Sequence, residues 1–249
     1  MIFIIHKSDI FTALSILRAI DITMSFRILF VTATSSEADV LRRIEGMVSV
    51  PEGLRFGNFE ISLLVTGVGS IATAWALKQW LSINEKPDLA INAGIAGSYR
   101  DDLIIGDVVM PVSDCFADAG IEDGDNFLTM TEAGLNGADE FPFREGVLYS
   151  DNKYNNKIKS ILKPVRAITV NTATGSENSI KKWVKKFNPD IETMEGATFF
   201  YICCREKIPF LALRAISNKV EPRNKSNWDI MLALNNLSEI LHDLILTLK

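Results

Sequence analysis

The stretch Glu192–Asn218, ETMEGATFFYICCREKIPFLALRAISN, constrains this chain more than any other. It reads as a short strand ending in a carboxylate, then an amphipathic helix, then an apolar strand ending in polar groups. Strand, covering helix and strand belong to an α/β fold, and in such folds ligands gather at the carboxyl ends of the strands. One end here carries Met194 and Glu195, the other Ser217 and Asn218. A carboxylate beside an apolar thioether, paired with a carboxamide, suits a ligand with a hydroxylated sugar and a flat polar base. Both residues also have ordinary uses, Glu195 as an acid favoured by a helix N-terminus and Asn218 as a turn residue.

The same alternation runs through the chain. Patterns of apolar residues predict strands at Arg27–Thr32, Phe59–Thr66, Asp88–Ala93, Asp107–Ala117, Val165–Val170 and Pro209–Ser217. Helices are predicted at Ser36–Glu45, Ser70–Ile83, Asn152–Leu162, Ser179–Phe187, Gly196–Arg205 and Asn227–Leu248. This order implies a largely parallel sheet covered by helices. No linker or composition break divides it, so residues 24–249 read as one domain. The polar stretch Asp118–Gly146 is longer than a plain connection needs, as functional or mobile loops are. The first 23 residues are apolar but carry His6, Lys7, Asp9, Arg18 and Asp21, so they form neither a membrane span nor a cleavable signal. Met24 stands just before the strand pattern FRILFVTAT and reads as the working start, with residues 1–23 as a leader outside the domain.

Composition narrows the function. At 47% hydrophobic residues the 249-residue chain can bury a substantial core. A net charge of −5 with no basic stripe excludes nucleic acid as a partner. The cluster Lys181, Lys182, Lys185 and Lys186 reads as a solvated helix face. Three cysteines, Cys115 and the adjacent Cys203 and Cys204, make no disulfide framework and fit the reduced cytoplasm. With His6 and His242 as the two histidines, no zinc-type ligand set can be assembled, and no cofactor is expected.

Three further motifs sit at predicted strand ends. Glu37 follows the first strand through Thr32–Ser36, where it is a candidate acid; as the third residue after Thr34 it also completes a capping box. Thr66–Ala72 contains G-x-G-x-x-A between a strand and a helix, the beginning of a dinucleotide fingerprint. That fingerprint needs an acidic residue at the end of the next strand, and Asp88 stands at its beginning, which disfavours an oxidoreductase. Asn92–Ser98 reads as a second glycine-bearing turn. Glu37, these two turns, Glu195 and Asn218 would then converge from five strand ends on one cleft.

The order TATSSEADVL, VTGVGSIATA, INAGIAGSYRDDLIIGDVVMP, ETMEGA and LRAISN resembles the nucleoside phosphorylase and nucleosidase superfamily, from Met24 to the end of the chain. The resemblance implies a single-domain three-layer α/β/α sandwich with a central mixed sheet, acting on a small-molecule nucleoside, and a homodimer such as family members commonly form. Phosphorylases of the superfamily carry an arginine in the first glycine-containing loop. Thr32–Ser36 has no basic residue, so water is the implied acceptor, as in methylthioadenosine/S-adenosylhomocysteine nucleosidase and futalosine hydrolase. Glu37 matches the water-activating carboxylate and Glu195 the one that binds the ribose hydroxyls. Asn218 stands where the adenosine-type nucleosidases have an aspartate. A carboxamide can donate to O6 of a 6-oxopurine and accept from N7–H, which favours hypoxanthine over adenine. The run from Asn218 to Trp228, NKVEPRNKSNW, resembles futalosine hydrolase, in which a benzoate is attached on the 5′ side of the sugar. Trp228 would stack on that ring and Arg223 or Lys225 pair its carboxylate, Arg with the better bidentate geometry, although both serve equally as ordinary loop charges. Val68, Ile95 and Met194 would form apolar walls, with Ser217 beside the base. A methylthioadenosine/S-adenosylhomocysteine nucleosidase and a non-catalytic nucleoside-binding module remain the alternatives.

Overall fold

The computed structural model describes residues 25–124 and 126–248; the expected leader and start at Met24 lie outside them. Side-chain alternation along the strands sets the layers. In β1 (Phe26–Thr32), Ile28 and Phe30 join one buried cluster while Leu29 and Val31 join another. Successive side chains of a strand point to opposite faces, so both faces of this strand must be covered. The first face is covered by α1 (Ser35–Arg42) and the long α6 (Ile230–Leu248), through Val40, Leu41, Leu237, Leu241 and Ile245. The second is covered by α2 (Ser70–Ile83) and α5 (Gly196–Glu206), through Leu77, Phe199, Phe200 and Cys203. Each large side chain removed from water in this way contributes roughly 1.5–3 kcal/mol.

The parallel heart of the sheet is β4 (Phe59–Val65), β1, β5 (Leu89–Ser98) and β12 (Phe210–Lys219), in that spatial order. Beyond β4 lie the short antiparallel strands β2 (Val48–Val50) and β3 (Gly53–Phe56). Beyond β12 lie β6 (Val108–Asp114), antiparallel to it, then β10 (Lys163–Thr169) and β11 (Ile191–Thr193). β11 pairs again with the end of β5, Ile191 opposite Ser98 and Glu192 opposite Gly97, so this half of the sheet closes on itself. A hairpin of β7 (Gly120–Asp123) and β8 (Asn126–Thr129), the two-residue β9 (Leu148–Tyr149), α3 (Asn155–Ile158) and α4 (Glu177–Phe187) complete the elements.

Three expectations are corrected. Asn92–Ser98 is not a turn but the second half of β5, which runs ten residues because β1, β12 and β11 all supply it with hydrogen-bond partners. Asn152–Leu162 is helical only over Asn155–Ile158. There the Asn152 and Asn155 side chains donate to the Phe210 and Ser150 carbonyls, offering the backbone an alternative to a longer helix. The stretch Asp118–Gly146, expected as a loop, contains the β7–β8 hairpin. The cysteines are free; Cys203 lies in the second core cluster, and burial pushes its thiol well up, as it does Cys115, to about 12.

A candidate nucleoside site

Glu37 is held by its own chain. Thr34 caps α1, accepting from the Glu37 amide at 3.3 Å, while Glu37 Oε2 accepts from the Ala33 amide (3.1 Å), the Thr34 amide (2.9 Å) and Thr34 Oγ1 (2.9 Å). Its other oxygen, Oε1, accepts from the Ile95 amide of β5 at 3.1 Å. Gly94 permits that approach, because a Cβ there would lie 2.5 Å from Oε1. The capping role and the candidate acid are therefore the same geometry: the cap fixes a carboxylate at the end of β1.

Glu195 is fixed from a different element. It is the residue before α5, and Oε1 accepts from the Gly69 amide at 2.8 Å. Gly67 and Gly69, at φ +86° and +95°, adopt the left-handed backbone that glycine tolerates. The G-x-G-x-x-A turn thus spends its exposed amide on a carboxylate of the same chain. Burial raises the Glu195 pKa above the ordinary carboxylate value, and the nearby negative charge of Glu37 adds to this, against the Gly69 hydrogen bond and the Arg214 cation.

Arg214, on β12, escaped the sequence reading. It is 2% exposed and donates to the Asn92 carbonyl (3.0 Å), to the Asn92 side-chain oxygen and to the Leu213 carbonyl (2.9 Å). Burial lowers its pKa, opposed by the charges of Glu195, Glu37 and Asp114; a guanidinium remains a cation even so. A charged residue inside an otherwise apolar strand was the available signal, since such groups are rarely buried without partners.

Beneath Glu195 lies a buried polar chain. The Gly196 amide donates to Thr193 Oγ1 (3.1 Å) and the Ala197 amide to Thr169 Oγ1 (2.7 Å), so two free amides at the start of α5 are satisfied. Thr169 Oγ1 then donates to Asp114 Oδ1 at 3.0 Å. Asp114 Oδ2 is buried without a hydrogen-bond partner and sits where a Cβ on residue 196 would overlap it, which explains the glycine in Met194-Glu195-Gly196. Burial raises Asp114 to about 7, against Thr169, Arg214 and the Cys115 amide and with the Glu195 charge. The folded protein therefore keeps a proton that the unfolded chain releases near 3.8, and stability falls as pH rises from about 4 through about 7. The gap corresponds to on the order of 4 kcal/mol. Asp114→Asn is expected to flatten this decline, so the variant gains on the parent between pH 5 and pH 8 in urea unfolding. Equal slopes in both proteins would remove Asp114 as the cause.

At the end of β12 the register slips by one residue between Ile216 and Asn218. Such a bulge re-aims side chains. Ser217 Oγ donates to Asn218 Oδ1 at 2.9 Å, and Asn218 Nδ2 donates to the Lys219 carbonyl at 2.8 Å. Glu37, Glu195, Asn218 and Ser217 line one cavity of about 370 Å³, together with Val68, Ile95, Met194 and Trp228. That volume is in the range of small-molecule sites. Trp228 follows a 3₁₀ turn at Lys225–Asn227. Arg223 does not line the cavity: it is exposed, with its Cβ against Gly175. Glu192, buried, and Thr174 line it and were not foreseen.

Residues 27–248 match the family model described as "Phosphorylase superfamily". The chain belongs to the phosphorylase superfamily. Among curated relatives, the futalosine hydrolase of Acidothermus cellulolyticus is 30% identical over 86% of this chain and 88% of its own. The 5′-methylthioadenosine/S-adenosylhomocysteine nucleosidase of Buchnera aphidicola (subspecies Schizaphis graminum) is 26% identical over 73% of this chain and 76% of its own. The solved futalosine hydrolase of Helicobacter pylori superimposes with a TM-score of 0.72 at 16% identity, covering 90% of this chain and 98% of that one. The mixed α/β fold expected from the resemblance is thus the fold of this superfamily member, and Glu37, Glu195, Ser217 and Asn218 line one cavity of it while Arg223 does not.

Proposed function

We propose that this protein is an N-glycosyl hydrolase acting on futalosine, a step of menaquinone biosynthesis, and releasing hypoxanthine and dehypoxanthine futalosine. The observation that carries the reading is the cavity wall. It brings Glu37, Glu195 and Asn218 together, and among the described residues no lysine or arginine lines it. A phosphate acceptor needs cationic or multiple amide donors, whereas water needs a base. Glu37 orients the water and takes its proton as oxygen attacks C1′ of the sugar. The C1′–N9 bond breaks, its electrons pass into the purine, where the Asn218 amide holds O6, and the base takes up a proton from solvent on a ring nitrogen and leaves as hypoxanthine. Glu195 accepts from the ribosyl hydroxyls, and Val68, Ile95 and Met194 exclude solvent around the oxocarbenium-like centre. Trp228 stacks on the ring of the 5′ substituent, and Arg223, outside the cavity wall on the exposed loop before Trp228, pairs the carboxylate where it projects beyond the cavity.

Two further assignments belong to this reading. The free cysteines suit a reduced cytoplasm. A second copy of the chain covers α2, where Ile71 and Trp75 are 85% and 72% exposed, close in sequence to the cavity residue Val68. A single-chain mass in sedimentation velocity would remove the dimer.

The test is a base-release assay on futalosine and methylthioadenosine, with and without phosphate. Hypoxanthine from futalosine at a phosphate-independent rate is the expected result. Adenine from methylthioadenosine alone would transfer the protein to the second reading, which the Buchnera relative favours. Binding without any release would make it a nucleoside-binding module. Asn218→Asp is expected to cut kcat/KM for the 6-oxopurine substrate roughly tenfold or more, since a carboxylate lone pair then faces O6; unchanged selectivity would undo the carboxamide argument.

A further inference from the structure

The base end of the cavity holds a second polar group that the reaction above does not use. Gly97 of β5 is the register partner of Glu192 on β11 and of Asn218 on β12. The three positions lie side by side across neighbouring strands, so the two side chains flank a residue that has none. A Cβ on Gly97 would lie 3.2 Å from Asn218 Nδ2 and 3.7 Å from Glu192 Cγ. Val220 Cγ2 lies 2.8 Å from such a Cβ, so the carboxylate and the carboxamide come together around a glycine and a methyl group, and both line the cavity.

Glu192 is held as an acceptor. Its Oε2 accepts from Tyr99 Oη at 2.6 Å and its Oε1 from the Thr174 amide at 2.9 Å. Burial raises the Tyr99 phenol above its ordinary value, and the Glu192 charge raises it further, so the phenol keeps its proton and donates. Each carboxylate oxygen has a second acceptor site free in principle, since a carboxylate offers about four lone-pair positions. The arrangement orients the group without exhausting it.

We propose that Glu192 is a specificity-determining residue that accepts from N1–H of the purine while Asn218 donates to O6. This rests on the futalosine reading above. The edge of a 6-oxopurine presents a donor at N1 next to an acceptor at O6, and a carboxylate next to an amide N–H is its complement. A 6-aminopurine presents an acceptor at N1, so the carboxylate meets a lone pair. A mismatch of that kind, buried, discriminates more strongly than a missing contact does.

Glu192→Gln is compared with the parent on futalosine and on its 6-amino analogue, which carry the same 5′ group. The variant is expected to lose roughly 10–100-fold in kcat/KM on futalosine, the range for a hydrogen bond to a charged group, and most of its discrimination against the 6-amino analogue. Equal losses on both substrates would assign Glu192 to structure and overturn the inference, as would an unchanged ratio. Free bases read the same contact in the parent protein, whatever the variant's folding. 1-Methylhypoxanthine, which lacks the N1 proton, is expected to bind at least tenfold more weakly than hypoxanthine in calorimetry; equal affinity would overturn the inference. If futalosine is hydrolysed but Glu192→Gln is indifferent to the base, only this inference fails. A parent protein that releases adenine and never hypoxanthine would end both.

Discussion

Glu37→Gln is expected to lower turnover at least a hundredfold while leaving the protein folded. Glutamine keeps the length of the side chain and an oxygen that can accept from the Thr34 amide, and glutamine at this helix position also completes a capping box. What it loses is the negative charge and the ability to take a proton from water. General-base catalysis by a positioned group supplies about 10²–10⁴ in rate, which sets the size of the loss. Steady-state base release gives kcat, and thermal melting within a few degrees of the parent shows that the fold is retained. Turnover within threefold of the parent would take Glu37 out of the mechanism and leave it as a helix cap.

Arg214→Met is expected to destabilise the protein severely. The guanidinium is the buried cation whose charge acts on Glu195, Glu37 and Asp114 together. Methionine is of similar bulk and apolar, so the loss is one of charge and hydrogen bonds more than of volume. Removing one partner of a buried charged group costs about 3–5 kcal/mol, because the opposite charges remain without compensation. The Asn92 carbonyl and side-chain oxygen also lose their donor. In a domain of this size the cost corresponds to a melting shift on the order of 10 °C. The sign of the pH dependence follows from the acids left behind. Burial already raises the pKa values of Glu195 and Asp114, and without the cation both rise further, so these two bind protons more readily folded than unfolded, and stability is lost as pH rises through those values. The deficit relative to the parent is therefore expected to shrink between pH 8 and pH 5. A deficit that is constant across that range in urea unfolding would mean that the carboxylates do not depend on Arg214.

The two effects have different visibility in the sequence. Glu37 was legible twice over, as a capping box and as an acid at a strand end, because both signals are local. α2 was read to the residue, Ser70–Ile83, for the same reason. Gly94 and Gly97 were visible too, but were read as a turn. A glycine in a strand and a glycine in a turn look alike locally. The difference is made by what approaches: the Glu37 carboxylate at Gly94, and Val220, Asn218 and Glu192 at Gly97. The short strand β11 was read from the sequence, but its place in the sheet came only from its pairing with β10 and β5, and the brief strands β2 and β3 carry too few residues for a period to show.

By itself the sequence determined the alternation of strands and helices, the identity of the superfamily and four of the polar residues at the cavity, because these depend on periodicity and on short contiguous motifs. Only the tertiary structure decided that β5 continues past Gly94 and that the sheet closes through β11. It also decided that Glu192 lines one cavity with Glu37 and Glu195, and that the buried Arg214 lies close enough for its charge to act on Glu37, Glu195 and Asp114. Their positions are set by strand register between segments far apart in the chain, a pairing that no local pattern records.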